Sequence, residues 1–223
     1  MRTSSAIFAA VLISGAANAS ASTNLLTNGS FETPVVPVGG FTNFGSGSTA
    51  ITGWTVVGPQ ASIVSGSFVS AGLSFPASDG LQWLDLTGDL SNSVEGVEQS
   101  VATVAGTKYN LSFDVGNQVN PGGPYGTTST VQVLVNGSVL GTFTNSGVSG
   151  STSQSWESFN TSFVASGAST VVEFLNQDPP TDNTNGLDNV ALTGAAGAPE
   201  PATLGLLGLG LAGVGLCRRR RKS

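Results

Sequence analysis

The sequence predicts an all-β protein: a two-sheet antiparallel sandwich of jelly-roll or immunoglobulin-like kind. Three observations carry that expectation. Apolar and polar residues alternate with period 2 in short runs along the middle of the chain. Gly, Asn and Ser bound those runs. Nothing between the two ends repeats with an apolar period of 3.6, and helix formers are scarce there.

The elements follow in order. Residues 24–28, 53–57, 61–64, 81–86 and 96–101 each read as a short strand. The clearest strand is 109–115, where Tyr109, Leu111, Phe113 and Val115 face one way and Asn110, Ser112 and Asp114 the other. Val131, Val133 and Val135 alternate next. Asn136-Gly137 then supplies a type I′ turn into 139–143, which makes a hairpin. Phe159, Thr161, Phe163 and Ala165 form another face, Val172 and Phe174 continue a further strand, and 189–193 closes the set. That is about ten strands. Long loops rich in Gly, Pro and Asn are expected at 38–50, 116–128, 144–155 and 177–186, where a rigid sandwich carries its function.

Composition excludes several chemistries. Among 223 residues there is no histidine and one cysteine. Ser-His-Asp and Cys-His catalysis, the usual zinc sites and an internal disulfide are therefore ruled out. A glycosidase would need two carboxylates across a cleft, and a pair such as Asp85 with Glu157 is available, but no motif singles out an acid. The expectation is a protein that is not an enzyme. The formal net charge of −6 hides a split. Between Ser20 and Ala198 the only base is Lys108 against 12 acids, a net charge of −11. Such a body repels nucleic acid, so no nucleic-acid partner is expected.

The ends read as addresses. Arg2, an apolar run from Ala6 to Gly15 and Ala17-Asn18-Ala19 form a secretory signal peptide, residues 1–19, with cleavage after Ala19 or, alternatively, Ala21. The body is then 20–198. At the other end, Pro199-Glu200-Pro201 precedes an uncharged stretch, 202–217, and a basic end of Arg218, Arg219, Arg220, Arg221 and Lys222. Sixteen helical residues reach about 24 Å, slightly under the ~30 Å hydrocarbon core, and terminal Arg and Lys can snorkel outward. The bases stay cytoplasmic, which places the acidic body outside a transmembrane helix.

This tripartite tail, 199–223, resembles the PEP-CTERM sorting signal of Gram-negative envelope proteins. The resemblance implies recognition of Pro199, Glu200 and Pro201 by an exosortase, with Arg218 to Arg221 as the stop-transfer end. It also implies an inner-membrane intermediate, then release to the cell surface or extracellular matrix. A second resemblance rests on NLLTNGSFE at 24–32, ITGWTV at 51–56, QWLDL at 82–86, VEQSV at 97–101, GTKYNLSF at 106–113 and GLDNV at 186–190. In order and spacing these are similar to the domain-of-unknown-function 642 group. That group implies a galactose-binding-like jelly roll, a fold used by carbohydrate-binding modules, and hence extracellular polysaccharide as the partner.

By the same resemblance Glu32 and Asp188, one from each end of the fold, are candidates to hold a structural Ca2+, which takes six to eight oxygens. The alternative is that Glu32 accepts backbone hydrogen bonds at a turn and Asp188 caps a loop. Sugar binding needs exposed aromatic platforms beside hydrogen-bonding side chains. Tyr125, in the strandless loop 120–126, is the leading candidate, with Asn117 and Gln118 beside it. Trp83 is the second, because inward-facing Leu84 and Leu86 would turn it outward. Trp54, Trp156 and Tyr109 fall within strand patterns and are assigned to the core.

Overall fold

A computed structural model describes residues 23–89, 94–180, 182 and 184–194. The signal peptide at 1–19, the sorting motif at 199–201 and the helix at 202–217 lie outside the described residues. The strands are β1 (Phe41–Gly45), β2 (Thr55–Val57), β3 (Gln60–Ser65), β4 (Val69–Ser70), β5 (Leu73–Ser74), β6 (Gln82–Asp85) and β7 (Gly96–Ala102). They continue with β8 (Lys108–Asn117), β9 (Ser129–Val135), β10 (Ser138–Asn145), β11 (Ser155–Val164), β12 (Ser169–Asn176) and β13 (Gly186–Gly194). A six-stranded sheet runs β1-β3-β6-β13-β8-β11 and a five-stranded sheet runs β10-β9-β12-β7-β2. Pairing is antiparallel throughout both, as expected.

The core lies between the two sheets. Tyr109, Leu111, Phe113 and Val115 of β8 enter it as their alternation predicts, meeting Val131, Val133, Val172 and Phe174 from the opposite sheet. Removing each such side chain from water stabilises the fold by about 1.5–3 kcal/mol. Phe113 sits at the centre, edge-to-face with Phe143 and Phe174 at centroid separations of 5.1 and 5.2 Å. Asn136 and Gly137 both take positive φ, 50° and 75°, which is the type I′ turn between β9 and β10.

Three elements differ from the sequence reading. Residues 24–28 form no strand. Asn28 turns through φ 55°, and the segment is tied to β13 through Asn24, whose side chain donates to Val190 O and accepts from Leu192 N. β1 occupies part of the predicted 38–50 loop. The third difference is a two-stranded hairpin, β4–β5, turning at Ala71 and Gly72 with φ 53° and 79°. Asn-Gly is the readable signature of that turn, and Ala71 at positive φ gives no such signal.

The six-stranded sheet buries apolar residues on both faces. Along β6, Leu84 enters the main core while Trp83 points the other way, into a second cluster with Val64, Leu73 and Phe75. The register aligns Phe41 with Val64 and Val64 with Trp83, a row across the outer face. The β4–β5 hairpin covers that row. It is held by Ser74 N donating to Thr152 O and Gln154 N donating to Ser74 O, at 2.8 and 2.9 Å.

An aromatic cavity on the outer sheet face

The β4–β5 hairpin and the loop 120–126 do not close completely over the outer face. Between them and strands β1, β3 and β6 lies a cavity of about 200 Å³. Its walls are the rings of Phe41, Phe68, Phe75, Trp83 and Tyr125, with Val64 and Pro124. Phe68 stands edge-on to Phe41, with centroids 5.7 Å apart, and Phe75 stacks on Trp83 at 6.4 Å. The polar lining comes from Ser62, Asp85, Asp89 and Thr184.

Strand alternation explains why an acid sits among the rings. Asp85 is two residues beyond Trp83 on β6 and shares its outer face. Its carboxylate accepts three hydrogen bonds, from Thr87 N at 3.0 Å, Thr87 Oγ1 at 2.8 Å and Asn185 N at 3.1 Å, all on Oδ1. Burial nonetheless pushes its pKa up to about 7, and those donors only partly oppose the shift.

The predicted site residues scatter. Tyr125 lines the cavity and is clipped to the hairpin by its hydroxyl, which donates to Ser70 Oγ at 2.6 Å. Its ring meets Phe75 edge-on at 5.0 Å. Trp83 also lines the cavity, but as its floor rather than an exposed platform: it is 1 % exposed and donates from Nε1 to Phe75 O. Asn117 and Gln118 lie elsewhere, buried where loops converge. Asn117 Nδ2 donates to Thr127 O and Asn145 O, and Gln118 Nε2 to Ser151 O. Their role there is to satisfy loop carbonyls that would otherwise be buried unpaired. Trp54 and Tyr109 are core residues, whereas Trp156 packs on the outer cluster and donates to Pro76 O.

Glu32 and Asp188 meet the same loop, residues 78–82, from different segments. Glu32 Oε1 accepts from Leu81 N and Gln82 N, at 2.7 and 2.8 Å. Asp188 Oδ2 accepts from Ser78 N and Asp79 N, and Oδ1 from Asn189 N. A side chain at Gly80 would strike Glu32 Oε1 at 2.3 Å, and Gly80 also takes φ +68°, so glycine fits this turn twice over. Burial pushes the Asp188 carboxyl up to about 7 despite its three donors. Among the described residues no group of three or more His, Cys, Asp or Glu side chains converges as a metal site. Three of the four carboxylate oxygens, Glu32 Oε1 and both of Asp188, accept from backbone N–H groups.

Asp85 was named only as one of a possible pair with Glu157, which is exposed on β11 and does not line the cavity; Asp89 and the phenylalanines flanking the hairpin, Phe68 and Phe75, were not singled out from the sequence. The period-2 spacing of Trp83 and Asp85 was the available signal. The hairpin that encloses them was not readable.

The fold is an antiparallel sandwich with an aromatic, acid-bearing cavity, on a chain that also carries a PEP-CTERM protein-sorting motif at 198–221. The motif implies export, with membrane-associated processing by an exosortase toward the cell surface. Over residues 24–193 the chain matches DUF642, a family of proteins of unknown function, and it belongs to that family. No curated protein matches it. Among solved structures it is similar to a Stig cyclase, Fisc, from Fischerella sp. TAU in complex with (3Z)-3-(1-methyl-2-pyrrolidinylidene)-3H-indole. That likeness has 19 % identity and a TM-score of 0.57, covering 80 % of this chain and 100 % of the other. A Fischerella sp. TAU cyclase in complex with 4-(1H-indol-3-yl)butan-2-one is similar at 20 % identity and a TM-score of 0.53, covering 78 % and 98 %. The CBM22-1-CBM22-2 tandem domain of Paenibacillus barcinonensis Xyn10C gives 19 % identity and a TM-score of 0.44, covering 84 % and 50 %.

These structures correct one expectation. The chain was expected not to be an enzyme, because it lacks histidine and no motif singles out an acid, yet its fold is shared with cyclases.

Proposed function

We propose that the protein is exported to the surface or extracellular matrix of a Gram-negative cell and binds extracellular polysaccharide there, one sugar ring entering the aromatic cavity. The observation that carries this reading is the cavity itself: ring faces with polar groups at their edge, open on the outer side of the sheet. Planar rings stack on the apolar face of a sugar, while hydroxyls need the hydrogen-bonding groups beside them. The test is titration of the purified protein with its own bacterium's extracellular polysaccharide. Saturable binding is expected, weakened roughly tenfold by Tyr125→Ala, a loss of about 1.4 kcal/mol. Tyr125→Phe keeps the ring and loses only the Ser70 bond, so it stays within about threefold of the wild type. No saturable binding would leave a structural matrix protein without a specific ligand.

Asp85 favours a second reading. A carboxyl with a pKa of about 7, in an apolar cavity shared with Asp89, is equipped to protonate a bound ligand. Chain-length analysis of the same mixtures decides it: shortened or rearranged product, lost in Asp85→Asn, supports catalysis.

Sorting is tested separately. Replacing Pro199-Glu200-Pro201 by alanines is expected to hold the protein in the inner membrane through the uncharged stretch 202–217. Normal surface delivery of that variant would overturn the assignment of those residues. For a structural calcium at Glu32 and Asp188, a chelator is expected to lower the thermal midpoint of the wild type and to leave Asp188→Ala unmoved. An unchanged wild-type midpoint leaves both carboxylates as turn anchors.

A further inference from the structure

The cavity is aromatic and acidic at once. Five rings line it, and among the described residues its charged lining groups are Asp85 and Asp89, with no base beside them. Lys108, the one base between Ser20 and Ala198, is exposed on β8, where it pairs with Val164 at the end of the sheet opposite Gly116.

That combination discriminates between ligands. A neutral sugar gains from the rings but offers nothing to neutralise a buried carboxylate, and an unpaired buried charge is costly. A protonated amine is attracted twice, by the faces of the aromatic rings and by the acids. We infer that the cavity selects a ring bearing a protonated amine: an amino sugar whose nitrogen is free rather than acetylated. This rests on the reading of the cavity as a polysaccharide site and names the class of polysaccharide.

Three further observations agree. All three hydrogen bonds to Asp85 fall on Oδ1, so none of them engages Oδ2. The volume of about 200 Å³ is below the ~300–1,000 Å³ of sites for drug-sized molecules and suits one ring at a time. The body's net charge of −11 concentrates a cationic polymer near the site, an attraction that salt screens. Burial favours the neutral form of the Asp85 carboxyl, and an incoming ammonium would favour its ionised form.

The experiment is calorimetric titration of the full-length protein in detergent with two probes, the glucosamine trimer and the N-acetylglucosamine trimer. The free amine is expected to bind at least tenfold more tightly. Asp85→Asn and the rim variant Asp89→Asn are each expected to reduce that preference threefold or more. Because Asp89 is exposed, its variant serves if Asp85→Asn fails to fold. Glu157→Gln, on the exposed edge strand β11, should keep the preference and so separates the cavity from general surface charge. Equal or tighter binding of the acetylated trimer overturns the inference. So does a preference that survives both aspartate variants, or tighter binding of a lysine tripeptide, which would point to a protein partner. If neither trimer binds, the inference falls, and titration with the native polysaccharide then shows whether the polysaccharide reading falls with it.

Discussion

The protein is expected to be most stable near pH 4–5 and to lose stability steadily up to pH 9. Asp85, Asp178 and Asp188, whose carboxyl burial also raises to about 7, are the main cause. Burial raises Asp85 to about 7 and Asp178 to about 8, the latter with added repulsion from Asp182 and Asp85. In the unfolded chain all three return to the ordinary value near 3.8. Between those limits the native state binds more protons than the unfolded state, so stability falls as pH rises. Below about pH 4 both states are protonated and the groups contribute no slope. Above about pH 9 the full cost of these buried ionised carboxylates is present. Each shift is several pKa units at about 1.4 kcal/mol per unit, so each group costs on the order of several kcal/mol at high pH. Calorimetric melts should therefore show a midpoint at least 10 °C lower at pH 9 than at pH 5. Asp178→Asn should flatten the curve and raise the midpoint at pH 9. A midpoint that is flat or rises across this range would refute the account.

Trp83→Ala is the substitution with the largest expected effect on the fold around the cavity. Trp83 stacks on Phe75, meets Trp156 edge-on at 6.0 Å and donates to Phe75 O. Its removal leaves the β4–β5 hairpin without a floor and Phe75 O without a donor. The expected loss is about 3–5 kcal/mol, a midpoint about 10 °C lower, with disappearance of the near-ultraviolet signal of a packed indole. Trp83→Phe keeps the stacking and loses the bond, so it should cost about 1–2 kcal/mol. A shift under 3 °C for Trp83→Ala would mean that the outer cluster contributes little to folding. The two substitutions also separate floor from wall: Tyr125→Ala weakens ligand binding with little change in melting, whereas Trp83→Ala changes both.

Much of the sandwich was readable because strand alternation and the Asn136-Gly137 turn are local signals. β8 could be drawn residue by residue from 109 to 115. The outer layer could not, and the reasons are physical. β4 and β5 are two residues each, too short to show a period, and their turn uses Ala71 where Asn would have announced it. Trp83 was correctly turned away from Leu84, but a sheet face opposite the core reads as solvent-facing unless something covers it. The cover comes from residues 68–75 and 120–126, distant in sequence. Asn117 and Gln118 show the converse limit. Polar residues at the mouth of a Gly-rich loop suggest a ligand, yet buried loop carbonyls compete for the same amide donors. Glu32 and Asp188 were paired through the family resemblance, as candidates to hold Ca2+; the structure has both carboxylates accepting from N–H groups of the 78–82 loop.

The position of β13 has a mechanical consequence. It is the last strand of the body, and it lies inside the six-stranded sheet between β6 and β8 rather than at an edge. When the domain is pulled by its C-terminal end, the load enters at Gly194 and runs along β13. The bonds joining β13 to β8 lie across that direction from Gly186 to Gly194, so they are sheared together instead of peeled one at a time. Asn24 adds a lashing at the same end through Val190 and Leu192. A chain end that leaves from an interior strand resists extraction of the domain.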